Sequence, residues 1–257
     1  MTRTVDLNAD MGESFGPWPM GDDAALLRIV SSANIACGFH AGDPDTMART
    51  MDLALAAGVA IGAHPGFADL QGFGRRRIPL STAELTHMIQ YQLGAAMALA
   101  QARGARLVHF KLHGALSNMA CEDLGMATAC YRAALAVQPD LRLVVMPLTA
   151  LEQAATDLGA AMAREVFADR TYADDGTLTD RRQPGAMIHD ADAAAQRIVA
   201  MLRDGGITST GGRFLPTPID TICVHGDGPE ALAIASRLKD ALTAADVRIA
   251  APAVSPR

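Results

Sequence analysis

Lysine is nearly missing from this chain of 257 residues: Lys111 and Lys239 stand alone against 20 arginines. Such a bias reflects codon usage more than chemistry, so a lysine here needs an explanation of its own. Cysteine is scarce as well. Cys37, Cys121, Cys130 and Cys223 show no CxxC spacing, which excludes a zinc knuckle or a thioredoxin-type pair and leaves them as small core residues. No stretch approaches the roughly 18 consecutive apolar residues of a membrane span. The N-terminal MTRTVDLNAD lacks the apolar segment of a secretory signal, so the expectation is a cytoplasmic protein without a membrane partner. Blocks of like charge are absent and the net charge is −6, which argues against nucleic acid and leaves small neutral or anionic metabolites. Phosphate-binding loops are missing too: there is no GxxxxGK[ST] and no GxGxxG after a first strand. In GESFG, Ser14 is not flanked as a nucleophile elbow requires. The chain alone is expected neither to bind ATP tightly nor to run a serine triad.

What is present is a composition that folds, with 50% apolar and 19% charged residues. Short β-rich runs alternate with Ala/Leu-rich stretches without a linker, so residues 1–257 read as one domain. The expected strands are Thr4 to Leu7, Ser32 to Ala36, Val59 to Ala63, Leu107 to Leu112, Leu141 to Met146, Glu165 to Ala168 and Thr221 to Val224. Their apolar character is nearly continuous, as in parallel strands covered on both faces.

Helix signals lie between them. Asp43-Pro44 supplies an N-cap and an N1 proline for a helix stopping at Gly58. Ser81-Thr-Ala-Glu84 is a capping box opening a helix striped by Leu85, Ile89, Leu93 and Ala96 and stopped at Gly104. A last helix, from about Pro229 to Ala245, carries Leu232, Ala235, Leu238 and Leu242. Strict alternation with no hairpin signal implies right-handed crossovers and an α/β fold, a parallel (β/α)7-type barrel.

The barrel is preferred to an open sheet because polar residues gather where strands end: Asn8, Asp10 and Glu13; Asn34, His40 and Asp43; His64; Lys111 and His113; Asp169 and Arg170; His225 and Asp227. In a barrel those ends converge on one mouth. Four of seven histidines (His40, His64, His113, His225) fall there beside carboxylates, a supply of proton donors and acceptors that could equally ligate a divalent metal. No HExxH-type signature fixes a metal, so that choice stays open. His87, His109 and His189 read as structural. Lys111, two residues before His113, points the same way along an extended strand and suits a developing negative charge. Two long connections, His64 to Pro79 and Asp169 to His189, read as lids or binding loops carrying Arg75 to Arg77 and Arg182.

The ordered motifs DLNADMGESFG, SANIACGFHAGDP, GAHPGF, GFGRR, KLHGALSN, EVFADRTYADDGTL with RRQPGAMI, and CVHGDGPEAL resemble the LamB/YcsF family from Val5 to about Leu232. The resemblance implies a barrel like those of glycoside hydrolases and polysaccharide deacetylases. It also implies ATP-dependent opening of the lactam 5-oxoproline to glutamate, shared with two further 5-oxoprolinase subunits, B and C, that bind and use ATP. The family's polar positions fall on Asp6, Asn8, Asp10, Glu13, Asn34, His40, Asp43, His64, Lys111, His113, Asp169, Arg170, Arg182, His225 and Asp227. Ala9, Leu112 and Ser117 stand where relatives carry Cys, Pro and Tyr.

On this basis Asp10 or Glu13 is expected to position water, His113 or His40 to move its proton and Lys111 to steady the oxyanion. Asn8, Asn34, His64, Asp169, Arg170, Arg182, His225 and Asp227 would bind substrate. Two rival readings remain: a metal-dependent amidase or deacetylase acting alone, and a non-catalytic channelling component.

Overall fold

The structure, a computed structural model, describes residues 3–225 and 230–252. In chain order the elements are β1 (Arg3–Met11), α1 (Asp23–Leu26), β2 (Ser32–Ala36), α2 (Pro44–Ala56), β3 (Ala60–His64), α3 (Thr82–Ala102), β4 (His109–Phe110), α4 (Gly114–Glu122) and α5 (Leu124–Val137). They continue with β5 (Arg142–Val145), α6 (Ala150–Asp157), β6 (Met162–Phe167), α7 (Ala191–Asp204), β7 (Gly206–Thr208), β8 (Phe214–Pro216), β9 (Thr221–Val224), α8 (Ala231–Ala244) and β10 (Val247–Ile249). The parallel strands β1 to β6 and β9 form a ring that closes where β1 pairs with β9. This is a TIM-like α/β barrel of seven strands with helices between them.

Local chemistry sets the helix ends. Asp43 Oδ1 accepts from the amides of Asp45 and Thr46 ahead of Pro44. Ser81 Oγ accepts from the Glu84 amide while Glu84 Oε2 accepts from the Ser81 amide at 2.7 Å, a complete capping box. Leu85, Ile89, Leu93 and Ala96 are buried, as their stripe requires.

Four details depart from the sequence expectation. The strand ladder of β1 runs on to Met11, so Asn8 and Asp10 lie inside the strand rather than beyond it; their polar side chains face a polar barrel interior, which the apolar-run criterion cannot recognise. The ladder of β4 is only His109–Phe110. A small antiparallel ribbon, β7 with β8, interrupts the strict alternation between α7 and β9. On α8 the buried stripe is Ala231, Ile234, Ala235, Leu238 and Leu242, while Leu232 turns outward at 41% exposure.

The barrel interior is polar from its floor upward, because Asp6, Asn8 and Asp10 alternate along β1 and point the same way. Asp6 accepts from Ser31, Ser32 and Thr221 hydroxyls at 2.6, 2.8 and 2.6 Å. Asn8 donates to Glu165 and Thr221 and accepts from Asn34, which also donates to Asp10 Oδ1 at 2.9 Å. The apolar core lies instead between the outer strand faces and the helices, with Leu7, Ile35, Ile61, Leu93, Ile198 and Leu238 fully buried.

Candidate active site

Above this floor, Lys111 follows β4 and turns inward. Its Nζ donates to Asp10 Oδ1 at 2.9 Å and Cys223 Sγ at 3.0 Å and lies 2.9 Å from Glu165 Oε1. An ammonium has three donors, and all three are committed. Burial works against the charge, but Asp10, Cys223 and Glu165 together raise the Lys111 pKa well above its usual value. Asp10 is held well below the carboxylate range: burial opposes ionisation, and the charges of His64 and Lys111 outweigh it. Burial pushes Glu165 up despite the ammonium. Lys111 thus fixes the charge of Asp10 from below. It has no donor left for a substrate oxyanion, so the expected direct contact becomes an indirect one.

The imidazoles sit above Asp10. His64 Nε2 is 3.4 Å from Asp10 Oδ2 and 3.0 Å from His113 Nδ1. His64 Nδ1 donates to the Lys111 carbonyl, and His113 Nε2 donates to the Phe73 carbonyl, each at 2.9 Å. His40 stacks on His113 with ring centroids 3.7 Å apart. Glu13 Oε1 lies 3.7 Å from His40 Nε2 and 3.9 Å from His113 Nδ1. All of these side chains are buried. Burial, reinforced by the neighbouring imidazoles, holds His40 and His113 well below the usual histidine pKa, hence neutral. Glu13, His40, His64 and His113 each bring a ligand atom within 4.8 Å of the others, a group that could hold a metal ion.

The connection after β3 closes over this cluster. Phe73 adopts φ +53°, rare for a non-glycine residue, and its ring meets His113 edge-on at 5.2 Å. Gly74 (φ +62°) follows, where a Cβ would sit 2.7 Å from His40 Cβ and 2.9 Å from His113 Cδ2. Only glycine fits there.

A second group flanks the first. His225 Nδ1 bonds Asp169 at 2.8 Å, its Nε2 is 3.1 Å from Arg181, and its ring stacks on Phe167. The Phe167 ring lies under Lys111 Nζ. Burial opposes ionisation of Asp169, yet the His225 imidazole keeps its pKa low. Burial and Arg181 pull Arg170 down to about 10, and its Nη2 donates to the Thr179 carbonyl, tying down the long connection.

Asn8, Asp10, Glu13, Asn34, His40, His64, Lys111 and His113 are therefore contiguous, with Asp169 and His225 alongside. Arg182 is not among them: its side chain is 90% exposed and bonds Asp180. Asp43 caps α2 and ties down the Gly16 amide. Asp227 lies outside the described residues. Of Arg75 to Arg77, Arg76 pairs with Asp69 and Arg77 with Glu122, while Arg75 lies over the Phe73 ring.

Several site residues escaped the sequence reading. Glu165 reads there only as the start of a strand, although a charge inside a buried parallel strand is itself a signal. His109, read as structural, is in the interior network with Nε2 2.7 Å from Asn34 Oδ1, and burial and Lys111 push its pKa down to about 3. Arg181 rather than Arg182 reaches His225.

Comparison with known proteins supplies the lineage. The profile described as "LamB/YcsF family" matches residues 5–256. A relative from Ruegeria pomeroyi, named as the A chain of 5-oxoprolinase, is 57% identical over 98% of this chain and 99% of its own length. Another of that name, from Nitrobacter hamburgensis, is 54% identical over 93% of this chain and 94% of its own. The crystal structure of a lactam utilization protein from Thermus thermophilus superposes with a TM-score of 0.92 at 42% identity, covering 97% of this chain and 100% of that one. The catalytic domain of a peptidoglycan N-acetylglucosamine deacetylase from Eubacterium rectale shares the fold, with a TM-score of 0.52 at 9% identity over 99% of this chain and 90% of that one.

Proposed function

This chain belongs to the LamB/YcsF family, and from that premise we propose that it is the A component of an ATP-dependent 5-oxoprolinase. With two further subunits, B and C, it opens the lactam of 5-oxo-L-proline to give L-glutamate, in the cytoplasm where ATP is supplied. The observation that carries this reading is the 57% identity, over nearly the full length of both chains, with a protein of that name.

The site chemistry is compatible with it. A lactam is a stable amide, and opening it against an unfavourable equilibrium requires activation. Phosphoryl transfer from ATP to the carbonyl oxygen provides this, and a chain without a phosphate loop leaves that step to its partners. The activated ring is then presented at the mouth of the barrel. Asp10, kept anionic by Lys111, accepts a hydrogen bond from the attacking water and orients it toward the ring carbon. Neutral His40 relays the protons that the attacking water gives up to the ring nitrogen, the C–N bond breaks to leave an acyl phosphate, and a second water hydrolyses this to the glutamate carboxylate and phosphate. Lys111 is a positioning residue, since its contacts are with Asp10, Glu165 and Cys223. Asp169 and His225 border the substrate from the second group of side chains.

The test is glutamate release from 5-oxoproline with this chain alone and then with both partner subunits and ATP. The reading expects release only from the complete set with ATP. Release from the chain alone, without ATP, would replace it with a self-sufficient amidase.

A further inference from the structure

Carbonyl oxygens accept hydrogen bonds and cannot donate them, and this fixes the tautomers of two facing imidazoles. His64 Nδ1 and His113 Nε2 each stand 2.9 Å from a backbone carbonyl, of Lys111 and Phe73 respectively, so each carries its ring proton there. In the neutral rings the other two nitrogens, His64 Nε2 and His113 Nδ1, then present bare lone pairs. Those nitrogens point at one another across 3.0 Å. Two lone pairs at that distance in a buried site repel unless a proton or a metal ion lies between them. Around them are further acceptors: Glu13 Oε1 at 3.9 Å from His113 Nδ1 and Asp10 Oδ2 at 3.4 Å from His64 Nε2.

From this convergence we infer that His64 Nε2, His113 Nδ1 and the Glu13 carboxylate form a binding site for one divalent transition-metal cation of the zinc type.

Three features support the assignment. Two imidazoles and a carboxylate are an established zinc donor set that keeps a fourth position open. Bonds of about 2.0–2.2 Å in a tetrahedral arrangement place donor atoms roughly 3.3–3.6 Å apart, and the observed separations of 3.0 and 3.9 Å bracket that range. Metal-ligating histidines donate their remaining ring N–H to a carbonyl or carboxylate, which orients the ring and raises its basicity; both imidazoles here do so. The paired ends of β1, β3 and β4 and the Phe73-Gly74 segment hold the donors in place. His40 is not one of the three. It stacks in parallel on His113, so its in-plane lone pairs do not converge with those of its neighbour, and it stays available for proton transfer. Bound there, the cation would polarise water or a carbonyl oxygen next to Asp10.

The inference goes beyond the lactam reading and is tested without it, on the full chain alone with neither 5-oxoproline nor ATP. The protein is stripped with a chelator, dialysed and titrated with Zn²⁺ by calorimetry and with Co²⁺ by visible absorption. The expected result is one high-affinity equivalent per chain, with the intense bands of a low-symmetry Co²⁺ site. Glu13→Gln and His113→Gln should each weaken Zn²⁺ binding by about 10–100-fold or more, because loss of even an outer-shell partner costs that much. His87→Gln and His189→Gln, away from this cluster, should change nothing. Should His113→Gln fail to fold by circular dichroism, the conservative Glu13→Gln variant decides. No high-affinity equivalent in the wild-type chain, or equal affinity in the folded Glu13→Gln variant, would overturn the assignment.

Discussion

Lys111 Nζ, just beyond β4, donates to Asp10 Oδ1 on β1 at 2.9 Å, and both side chains are buried at 6–7% exposure. Removing one member of such a pair leaves an uncompensated charge in the interior, a loss of about 3–5 kcal/mol. Lys111→Met should therefore lower unfolding free energy by that order in urea titrations, with Asp10 and Glu165 left facing each other. Adding Glu165→Gln to Lys111→Met should recover part of the loss, because one of the two stranded carboxylates is then gone.

Acid should weaken the fold at pH values where ordinary carboxylates are still ionised. His109 has a pKa near 3 in the folded chain against 6.5 for a free imidazole, so between those values the unfolded chain binds the extra proton. The contribution is intact above pH 6.5 and is lost on acidification towards pH 3, at about 1.4 kcal/mol per pH unit for one such group. His40 and His113 act in the same direction. Asp10, whose pKa lies below 3.8, adds its loss only in stronger acid. Urea midpoints at pH 7.5, 6 and 5 should fall steadily, and His109→Gln should flatten that slope.

Some of this was legible in the sequence, for physical reasons. Capping at Asp43 and Ser81 is encoded within four residues and survives into the structure unchanged. All seven barrel strands announced themselves through β-rich apolar runs. The polar interior did not, because it depends on which face of β1 turns inward. Yet VDLNADM alternates with period two, and that pattern places Asp6, Asn8 and Asp10 together. Convergence of Glu13, His40, His64 and His113 was foreseeable from their places after successive strands. The pairing of Lys111 with Glu165 and Cys223 was not: it rests on barrel closure between residues more than 50 positions apart. Choosing between Arg181 and Arg182 also required the path of the loop.

Glycine substitutions should separate crowding from propensity. A Cβ on Gly62 would fall 2.2 Å from the His109 ring, whereas one on Gly94, within α3, meets nothing within 4 Å. Gly62→Ala should destabilise by about 1–3 kcal/mol or more. Gly94→Ala should stabilise by about 0.4–1 kcal/mol. Thermal unfolding of the two variants beside the parent checks both signs.

The two neighbouring arginines should part company in the reconstituted enzyme. Arg181 touches His225, whereas Arg182 lies on the surface with Asp180. Arg181→Gln should raise KM for 5-oxoproline with a smaller effect on kcat. Arg182→Gln should leave both unchanged and shift stability by no more than about 0.5 kcal/mol.

The most direct test is turnover of the complete reconstituted enzyme carrying Asp10→Asn, with circular dichroism confirming the fold. Glutamate release should fall by about 10²-fold or more, the order lost when a reacting group is misplaced. Parental turnover from a folded Asp10→Asn chain would contradict the account, because the carboxylate that Lys111 holds ionised would then have no part in the reaction.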